Sequence, residues 1–309
     1  MLALVAAPDR EDRIQLAEVE EPRPGPGETL VEVHSISLNR GELNRLATAQ
    51  PGWRPGWDVA GTVIQAAADG SGPREGTRVV VLKPAGAWCE RVAVPAGYLA
   101  ELPAGLGFAG AATLPVAGLT ALGTLRIGGA VLGRRVLVTG AAGGVGRFAI
   151  QLGRRGGATV TAVAGSSERT QGLADLGASE AVVGLEPLAG RQFDLILESA
   201  GGESLEKAIK LLPSGGTLVS FGNSSLQRTT LLVNDFYSKG GVTIYGFLLF
   251  NELARGGAPG PDLAFLAAEV AAGRLDPQIA LEVDWHQAGS ALLALRDRSV
   301  AGKAILHLR

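Results

Sequence analysis

The chain is poor in the residue types on which several classes of protein depend. Its 309 residues include a single cysteine, Cys89, so no disulfide can form within the chain. One thiol fits a reducing compartment, and we expect a cytoplasmic protein. No uninterrupted apolar run reaches about eighteen residues, so we expect no membrane span. The net charge of −2 argues against nucleic acid or an acidic membrane surface as a partner.

Histidine is also scarce, which bears on metal binding. The three histidines, His34, His286 and His307, lie far apart and show no spacing typical of metal ligands. With one cysteine beside them they cannot supply a recognisable tetrahedral zinc site, and the sequence predicts no metal. We expect Cys89 to pack in the interior rather than to act as a nucleophile.

The composition provides for two globular domains. The chain is 46% apolar and 19% charged, which is ample for a core. A short apolar run at the N-terminus has no basic residues before it, and we interpret it as a first strand rather than a signal peptide. An alternating run begins at Thr29, two more strand candidates begin at Val59 and Thr77, and Pro- and Gly-rich turns separate them. This pattern is typical of a barrel or sandwich.

The pattern changes near Pro115, after which strands alternate with helices. Helices are predicted at about 145–155, 168–176 and 203–212, and strands at 136–139, 158–163, 181–183, 193–197, 217–221 and 242–248. Such alternation predicts a parallel sheet covered on both faces. We therefore expect a first domain over 1–116 and a sheet domain over 117–250. The tail, 251–309, with two helices and a strand at 303–308, is expected to complete the first domain.

One segment indicates a cofactor. Residues 136–146, Val-Leu-Val-Thr-Gly-Ala-Ala-Gly-Gly-Val-Gly, have the pattern of a strand, a glycine-rich turn and the start of a helix. Small residues let the backbone approach a pyrophosphate, and the helix N-terminus offers N–H groups and the positive end of its dipole. The sequence therefore predicts a dinucleotide site.

The residues after the second strand of this domain favour NADP(H). NAD-binding units place an acid about 20 residues beyond the glycines, and the strand that ends near Gly165 has none there. Ser166, Ser167 and Arg169 follow instead, and hydroxyls with a guanidinium suit a 2′-phosphate. Glu168 is interpreted as a first-turn residue favoured by the helix dipole. The alternative is that Ser166 is only an N-cap and Arg169 a solvated surface residue.

Several motifs along the chain carry a family resemblance. They are Ser37-Leu-Asn39, Pro55-Gly-Trp-Asp58-Val-Ala-Gly61, Gly76-Thr-Arg-Val, Leu114-Pro-Val-Ala-Gly-Leu-Thr120, Gly140 to Leu152, Val219-Ser-Phe-Gly-Asn-Ser224 and Gly302-Lys-Ala-Ile-Leu. Over nearly its whole length the chain resembles the zinc-independent medium-chain dehydrogenases/reductases of the quinone oxidoreductase (zeta-crystallin-like) group. The resemblance implies an α/β protein with a GroES-like β-barrel catalytic domain and a Rossmann doubly wound parallel-sheet domain, and NADP(H) between them.

The resemblance also implies roles for individual residues. Gly143, Gly144, Val145 and Gly146 are expected at the pyrophosphate, and Ser166, Ser167 and Arg169 at the 2′-phosphate. Further cofactor contacts are expected from Thr120, Gly222, Asn223, Ser224, Gly246, Phe247 and Leu248. At the positions where zinc-dependent relatives have residues that bind the zinc ion, this chain has Asn39 and Trp57. The four-cysteine lobe of those relatives is absent from the sequence too.

Without a Lewis acid, hydride transfer needs an acceptor that is already electrophilic, such as a quinone or an activated double bond. Asn39 is our candidate donor to the developing oxyanion, the alternative being a turn amide. Asp58 is a second catalytic candidate, with a structural role as the stronger interpretation. Trp53 and Trp57 are candidates for an apolar substrate wall, or else for core packing.

Three functions follow as hypotheses. The first is an NADPH-dependent reductase of quinones, the second an enoyl or alkenal reductase on the same fold, and the third an NADPH-binding protein without catalysis. The resemblance implies a homodimer. The long apolar strand at 242–250 would aggregate if it stayed exposed at a sheet edge, so pairing with its copy about a two-fold axis would cover it. The alternative is an interior strand under the tail helices.

Overall fold

A computed structural model describes residues 1–308 of the chain. Two compact units are present, and each is described by itself. The first comprises Met1–Leu119 together with the chain from Leu253 onward, and the second comprises Thr120–Glu252. Along residues 1–308, no helix is both long enough and apolar enough to cross a membrane.

The bounds of the regular elements are as follows. The strands are Leu2–Ala6 (β1), Ile14–Glu18 (β2), Glu28–Leu38 (β3), Asp58–Gln65 (β4), Arg78–Leu82 (β5), Arg91–Pro95 (β6), Leu99–Glu101 (β7), Arg135–Thr139 (β8), Thr159–Ala164 (β9), Glu180–Val183 (β10), Leu195–Glu198 (β11), Thr217–Ser220 (β12), Thr243–Gly246 (β13), Ile279–Asp284 (β14) and Lys303–His307 (β15). The α-helices are Arg40–Leu46 (α1), Phe108–Ala112 (α2), Leu119–Ile127 (α3), Gly144–Arg155 (α4), Gly202–Lys210 (α5), Asn234–Tyr237 (α6), Leu249–Ala254 (α7), Gly260–Ala271 (α8) and Ala288–Arg296 (α9). A π-helical turn, Leu114–Gly118, precedes α3.

The second unit is built on a six-stranded parallel sheet. Its order is β10-β9-β8-β11-β12-β13, and every neighbouring pair is parallel. The inner strands β8 and β11 are buried almost throughout, which explains their nearly continuous apolar sequence. The order reverses between β8 and β11, and doubly wound sheets bind ligands at the carboxyl ends of strands at such a point. The predicted doubly wound sheet is confirmed.

The first unit contains a seven-stranded sheet with β3 at its centre. One edge of β3 pairs antiparallel with β4, while the other edge is shared by β6, along residues 28–32, and β15, along residues 35–38. β14 lies parallel to β15, and β1 and β2 form a separate antiparallel pair. Asp58 lies opposite Ser37, and Ala304 lies opposite Leu38. The end of β3 is therefore flanked by the first residues of β4 and β15.

Each unit has an apolar core of its own. In the first, the inward faces of the strands close around Trp88 and Trp285, which are almost completely buried. In the second, the buried strand residues and helix α5 surround Phe193. Burying a side chain of this size stabilises a fold by about 1.5–3 kcal/mol, so these aromatic groups anchor the two cores.

The structure departs from the predicted elements in several places. The helix predicted at 168–176 is wrong: a single 3₁₀ turn, Glu168–Thr170, is followed by turns, because Gly172 and Gly177 take positive φ angles of 72° and 104°. The strand predicted at 242–248 is shorter, and helix α7 begins at Leu249. Strands β2, β6, β7 and β14 and helices α1, α2, α3 and α6 have no counterpart among the predicted elements.

Candidate functional site

Asn39 links the end of β3 to the start of α1. It is the N-cap residue of α1, with extended backbone angles, and its backbone N–H donates to Glu42 Oε2 at 2.7 Å. Its side-chain amide is nearly buried and donates from Nδ2 to Asp58 Oδ2 at 2.8 Å. The two candidate catalytic residues, Asn39 and Asp58, are thus in direct contact.

Asp58 is the first residue of β4 and has no exposed surface. Besides the Asn39 amide, its carboxylate accepts a hydrogen bond from the backbone N–H of Val116 at 3.0 Å. Its third neighbour is the ammonium group of Lys303, at 3.5 Å from Oδ2. Three donors from three different elements therefore hold this carboxylate in place.

Lys303 and Glu42 were not among the residues predicted for the site. Lys303 opens β15, and its Nζ donates to Asn39 Oδ1 at 2.7 Å and to the Leu38 carbonyl at 3.1 Å. Glu42 is also fully buried, and its Oε1 finds no hydrogen-bond partner within residues 1–308. One signal for Lys303 was present in the sequence: a lysine directly before the apolar run Ala-Ile-Leu of a strand.

These four residues (Asn39, Glu42, Asp58 and Lys303) form what we call the buried polar cluster. Burial, reinforced by the charge of Asp58, raises the pKa of Glu42 well above its usual range. Burial also raises the pKa of Asp58, against the opposing effect of Lys303, and burial lowers the pKa of Lys303, against Asp58 and Glu42. We assign an ionised pair to Asp58 and Lys303 and a neutral acid to Glu42, because this leaves no uncompensated charge.

The cluster fixes the orientation of the Asn39 amide. An ammonium group can only donate hydrogen bonds, and an ionised carboxylate can only accept them. Asn39 therefore turns its carbonyl oxygen to Lys303 and its NH₂ group to Asp58. The second N–H of that NH₂ group donates to no acceptor in the described part of the chain, 1–308.

The two tryptophans proposed for a substrate wall lie in the loop between α1 and β4. Trp57 is 6% exposed, and its ring lies against Gly41 of α1 and beneath the guanidinium of Arg45, at 5.1 Å. Trp53 is half-buried, and its carbonyl accepts a hydrogen bond from the N–H of Ala6 in β1. The ring of Trp57 is thus largely occupied with packing on α1.

The glycine-rich turn lies at the carboxyl end of β8. Gly143 is the N-cap of α4. The first hydrogen bond of the helix runs from the Arg147 N–H to the Gly143 carbonyl, at 3.0 Å. The N–H groups of Gly144, Val145 and Gly146 precede that bond and have no acceptor within the helix. A Cβ on Gly146 would lie 2.6–2.7 Å from the backbone of residues 140 and 141. Only glycine allows this close packing, and the resulting cradle of N–H groups fits a pyrophosphate.

The loop after β9 carries the residues proposed for the 2′-phosphate. Ser166 and Ser167 lie beside the exposed carboxylate of Glu168, and Ser167 Oγ donates to it at 3.1 Å. The hydrogen bond from Ser166 is the main cause of a lowered pKa of Glu168. Arg169 follows in the same 3₁₀ turn and is half-buried. An acid thus shares this loop with the three residues expected to bind a phosphate.

The other proposed cofactor residues follow β12 and β13 or lie on α3. The Ser224 N–H donates to the Ser199 carbonyl at 3.1 Å, and Gly222 packs against the same carbonyl. Gly246 ends β13, Phe247 is buried and Leu248 is 55% exposed. The side chain of Asn223 lies next to Gly201, and Thr120 is buried on α3.

One buried acid at this edge of the sheet was missed. Glu198 ends β11 and accepts hydrogen bonds from Thr139 Oγ1, the Gly201 N–H and Ser204 Oγ, at 3.2, 3.0 and 2.9 Å. It thereby ties the carboxyl end of β8 to the start of α5. Its role is to hold the loops around the glycine-rich turn.

No group of three or more His, Cys, Asp or Glu side chains within residues 1–308 could hold a metal ion. His34 stacks on Phe108, while His286 and His307 pair with acidic residues of β14. Cys89 is fully buried, and burial raises the pKa of its thiol.

Two family models match the chain. The model of the alcohol dehydrogenase GroES-like domain matches residues 25–117, and the model described as zinc-binding dehydrogenase matches residues 144–258. With the strand orders above, these matches confirm the predicted fold class. Among residues 1–308 no donor set fits the zinc that the second description names. The carboxyl groups of Asp58 and Glu42 bind Asn39, Lys303 and backbone N–H groups instead.

The chain spans very different shares of the lengths of its relatives. A mycocerosic acid synthase-like polyketide synthase of Mycobacterium tuberculosis is 32% identical over 71% of this chain, which spans only 11% of that protein. The mitochondrial NAD(P)H oxidoreductase RTN4IP1 of Bos taurus is 29% identical, over 92% of this chain and 82% of its own. Among solved structures, the quinone oxidoreductase of Escherichia coli complexed with NADPH superposes with a TM-score of 0.87 at 23% identity, over 99% of this chain and 100% of that one. At that identity the likeness shows the fold.

Proposed function

Because the chain belongs to the medium-chain dehydrogenase/reductase family and is an oxidoreductase of that family, we propose that it transfers hydride from NADPH, without a metal, to a quinone or a similar electrophilic acceptor. The observation that carries this proposal is the orientation of the Asn39 amide. Held by Lys303 and Asp58, it offers one N–H to an oxygen atom of the substrate.

Support for the cofactor comes from the turn between β8 and α4. Gly143, Gly144, Val145 and Gly146 would hold the pyrophosphate through backbone N–H groups, and the close packing of Gly146 shapes that cradle. When bound, the nicotinamide group supplies the hydride. We keep NADPH as the proposed form because Ser166, Ser167 and Arg169 share one loop.

The chemistry assigned to this chain is stabilisation of charge on the substrate oxygen. As the acceptor is reduced, negative charge grows on a carbonyl or quinone oxygen, and a fixed N–H donor in a dry site stabilises it. Asn39 supplies that donor, and Asp58 and Lys303 keep the amide from turning. The proton that completes the reduction comes from solvent in this proposal.

A metal-free reaction is proposed from the chemistry of the donors. Lys303 places an ammonium group against Asn39 and Asp58, where a bound dication would be repelled. The acceptor must then be electrophilic in its own right, which favours quinones and activated double bonds.

A homodimer in the cytoplasm completes the proposal. β13 is the last strand of its sheet, and Ile244 on it is 40% exposed. Leu248 and Tyr237 add exposed apolar area in the same unit. Pairing of β13 with its copy about a two-fold axis would cover this edge. Reduced, buried Cys89 is consistent with a reducing compartment.

The test is anaerobic oxidation of NADPH, with NADH in parallel, against 1,4-quinones, enones and enoyl thioesters. We expect turnover of quinones, with NADPH preferred. Turnover confined to enones or enoyl thioesters would support an activated double-bond reductase instead. Tight binding of NADPH without turnover of any acceptor would support a non-catalytic binding protein and refute the proposed activity.

A matched pair of variants ties the activity to Asn39. Asn39→Ala removes the donor, and we expect kcat to fall by about 10²-fold, the lower end for the loss of one oxyanion donor. Asn44→Ala makes the same chemical change at an exposed position of the same helix and should leave kcat unchanged. Equal rates for both variants would remove Asn39 from the proposal.

A further inference from the structure

Lys303 is a lysine enclosed by the protein. Its side chain is 3% exposed, and Nζ lies at 2.7 Å from Asn39 Oδ1, 3.1 Å from the Leu38 carbonyl and 3.5 Å from Asp58 Oδ2. Three acceptors thus surround a group with three N–H donors. The ammonium group is directed at the end of β3 and at no surface partner.

Packing alone does not call for an ammonium group at this position. The residues that follow in β15, Ala304, Ile305 and Leu306, are fully buried and apolar. A methionine at 303 would fill a similar volume without the cost of removing a charge from water. The charge has a definite effect on one neighbour, since Asn39 is the only side-chain amide that it contacts within residues 1–308.

The orientation of that amide depends on both of its ionic neighbours. If the Asn39 amide turned over, its NH₂ group would face the Lys303 ammonium and its carbonyl would face the Asp58 carboxylate, and both contacts would be repulsive. With Lys303 removed, Asp58 alone would hold the amide through a single hydrogen bond. The free N–H would then no longer have a fixed direction.

We propose that Lys303 is a positioning residue, which locks the Asn39 amide so that its second N–H is presented to the substrate oxygen, and thereby sets the rate of turnover. This inference rests on the proposed function. Because Lys303 contacts Asn39, Asp58 and the Leu38 carbonyl and none of the residues proposed to bind the cofactor, it predicts an effect on turnover rather than on NADPH binding.

The test compares Lys303→Met, which removes both charge and donor, with Lys303→Gln, whose amide N–H can still donate to Asn39 Oδ1. We expect kcat to fall by about tenfold or more in Lys303→Met and by less in Lys303→Gln, at an unchanged Kd for NADPH. Lys210→Met, the same change at an exposed position, is the matched control and should retain the wild-type kcat.

A double-mutant cycle separates positioning from stability. In an Asn39→Ala background, Lys303→Met should lower kcat by less than twofold, because the amide that it positions is gone. An equal loss in both backgrounds would overturn the inference and leave Lys303 a purely structural residue. If Lys303→Met does not fold, the cycle is measured with Lys303→Gln instead. Equal losses of kcat from Lys303→Gln in the wild-type and Asn39→Ala backgrounds would likewise overturn the inference.

A spectroscopic measurement keeps this inference independent of the proposed activity. In ¹⁵N-labelled protein, the Asn39 side-chain NH₂ signal is identified by its loss in Asn39→Ala. One of its protons should be shifted downfield by the hydrogen bond to Asp58, and the shift should shrink in Lys303→Met. An unchanged signal would refute positioning even if turnover is observed. Absence of turnover in the wild type would refute the proposed function but not the orientation of the amide.

Discussion

Replacing Glu42 with glutamine should remove part of the pH dependence of folding. Glu42 is fully buried, its Oε2 accepts the Asn39 N–H at 2.7 Å, and burial and Asp58 raise its pKa. Glutamine has the same shape as the neutral acid and keeps an oxygen for the Asn39 N–H. We therefore expect the stability of Glu42→Gln to lie within about 1 kcal/mol of the wild type in mild acid.

The sign of the effect follows from the number of protons bound. An unfolded glutamate titrates near pH 4.3, whereas the folded protein holds the Glu42 proton to higher pH. The stability that this proton contributes is complete below the unfolded pKa and is lost as pH rises through the folded pKa. Across that window the loss is about 1.4 kcal/mol per pH unit. Glu42→Gln has no such loss, so its stability relative to the wild type should increase with pH.

The four tryptophans of the chain make the assay specific to the first unit. Trp53, Trp57, Trp88 and Trp285 all lie within it, so the fluorescence midpoint in urea reports its unfolding alone. Midpoints would be measured from about pH 5 to pH 8, the range in which proteins are generally most stable, for the wild type, Glu42→Gln and Glu75→Gln, an exposed control. Parallel curves for the wild type and Glu42→Gln would refute the assignment of a neutral acid at Glu42.

Three further predictions concern the second unit. Glu168→Gln should raise the affinity for NADPH several-fold relative to that for NADH, because it removes a negative charge beside Ser166 and Ser167. Fluorescence titration with both cofactors would check this. If only NADH binding weakened, Glu168 would instead be a ligand of the ribose. Gly146→Ala should destabilise the protein by about 1–3 kcal/mol and abolish NADPH binding. Gly165→Ala is the control, because an added Cβ there would meet no atom within 4 Å, and it should be tolerated in thermal unfolding. Ile244→Lys at the sheet edge should convert the proposed dimer to a monomer, measured by light scattering, while the secondary structure stays unchanged. A wild-type protein that is itself a monomer would contradict the proposed interface.

The parts of the fold that the sequence predicted well are those specified locally. The strand and turn at 136–146 carry their own signals, and β8 and α4 lie within one residue of the predicted positions. The failed helix at 168–176 shows the limit of such signals. Its apolar spacing resembles a helix, but Gly172 with φ of 72° turns the chain after one 3₁₀ turn.

The candidate site could be predicted only in part, because its contacts are remote in sequence. Asn39 and Asp58 were singled out through motifs, but their contact depends on the pairing of β3 with β4. Lys303 lies 264 residues from Asn39 and reaches it only because β15 pairs with the end of β3. No local pattern specifies that pairing. Glu42 had the spacing of a capping residue, which gave no sign that it would be buried beside two other ionisable groups.

The most direct test of the central claim is the steady-state kcat of NADPH oxidation with a 1,4-quinone after exhaustive treatment with a metal chelator, for the wild type and Asn39→Ala. The account predicts that the chelated wild type turns over undiminished, and that Asn39→Ala is slower by about 10²-fold at an unchanged Kd for NADPH. Loss of wild-type turnover on chelation, restored by zinc, or an Asn39→Ala variant as fast as the wild type, would contradict it.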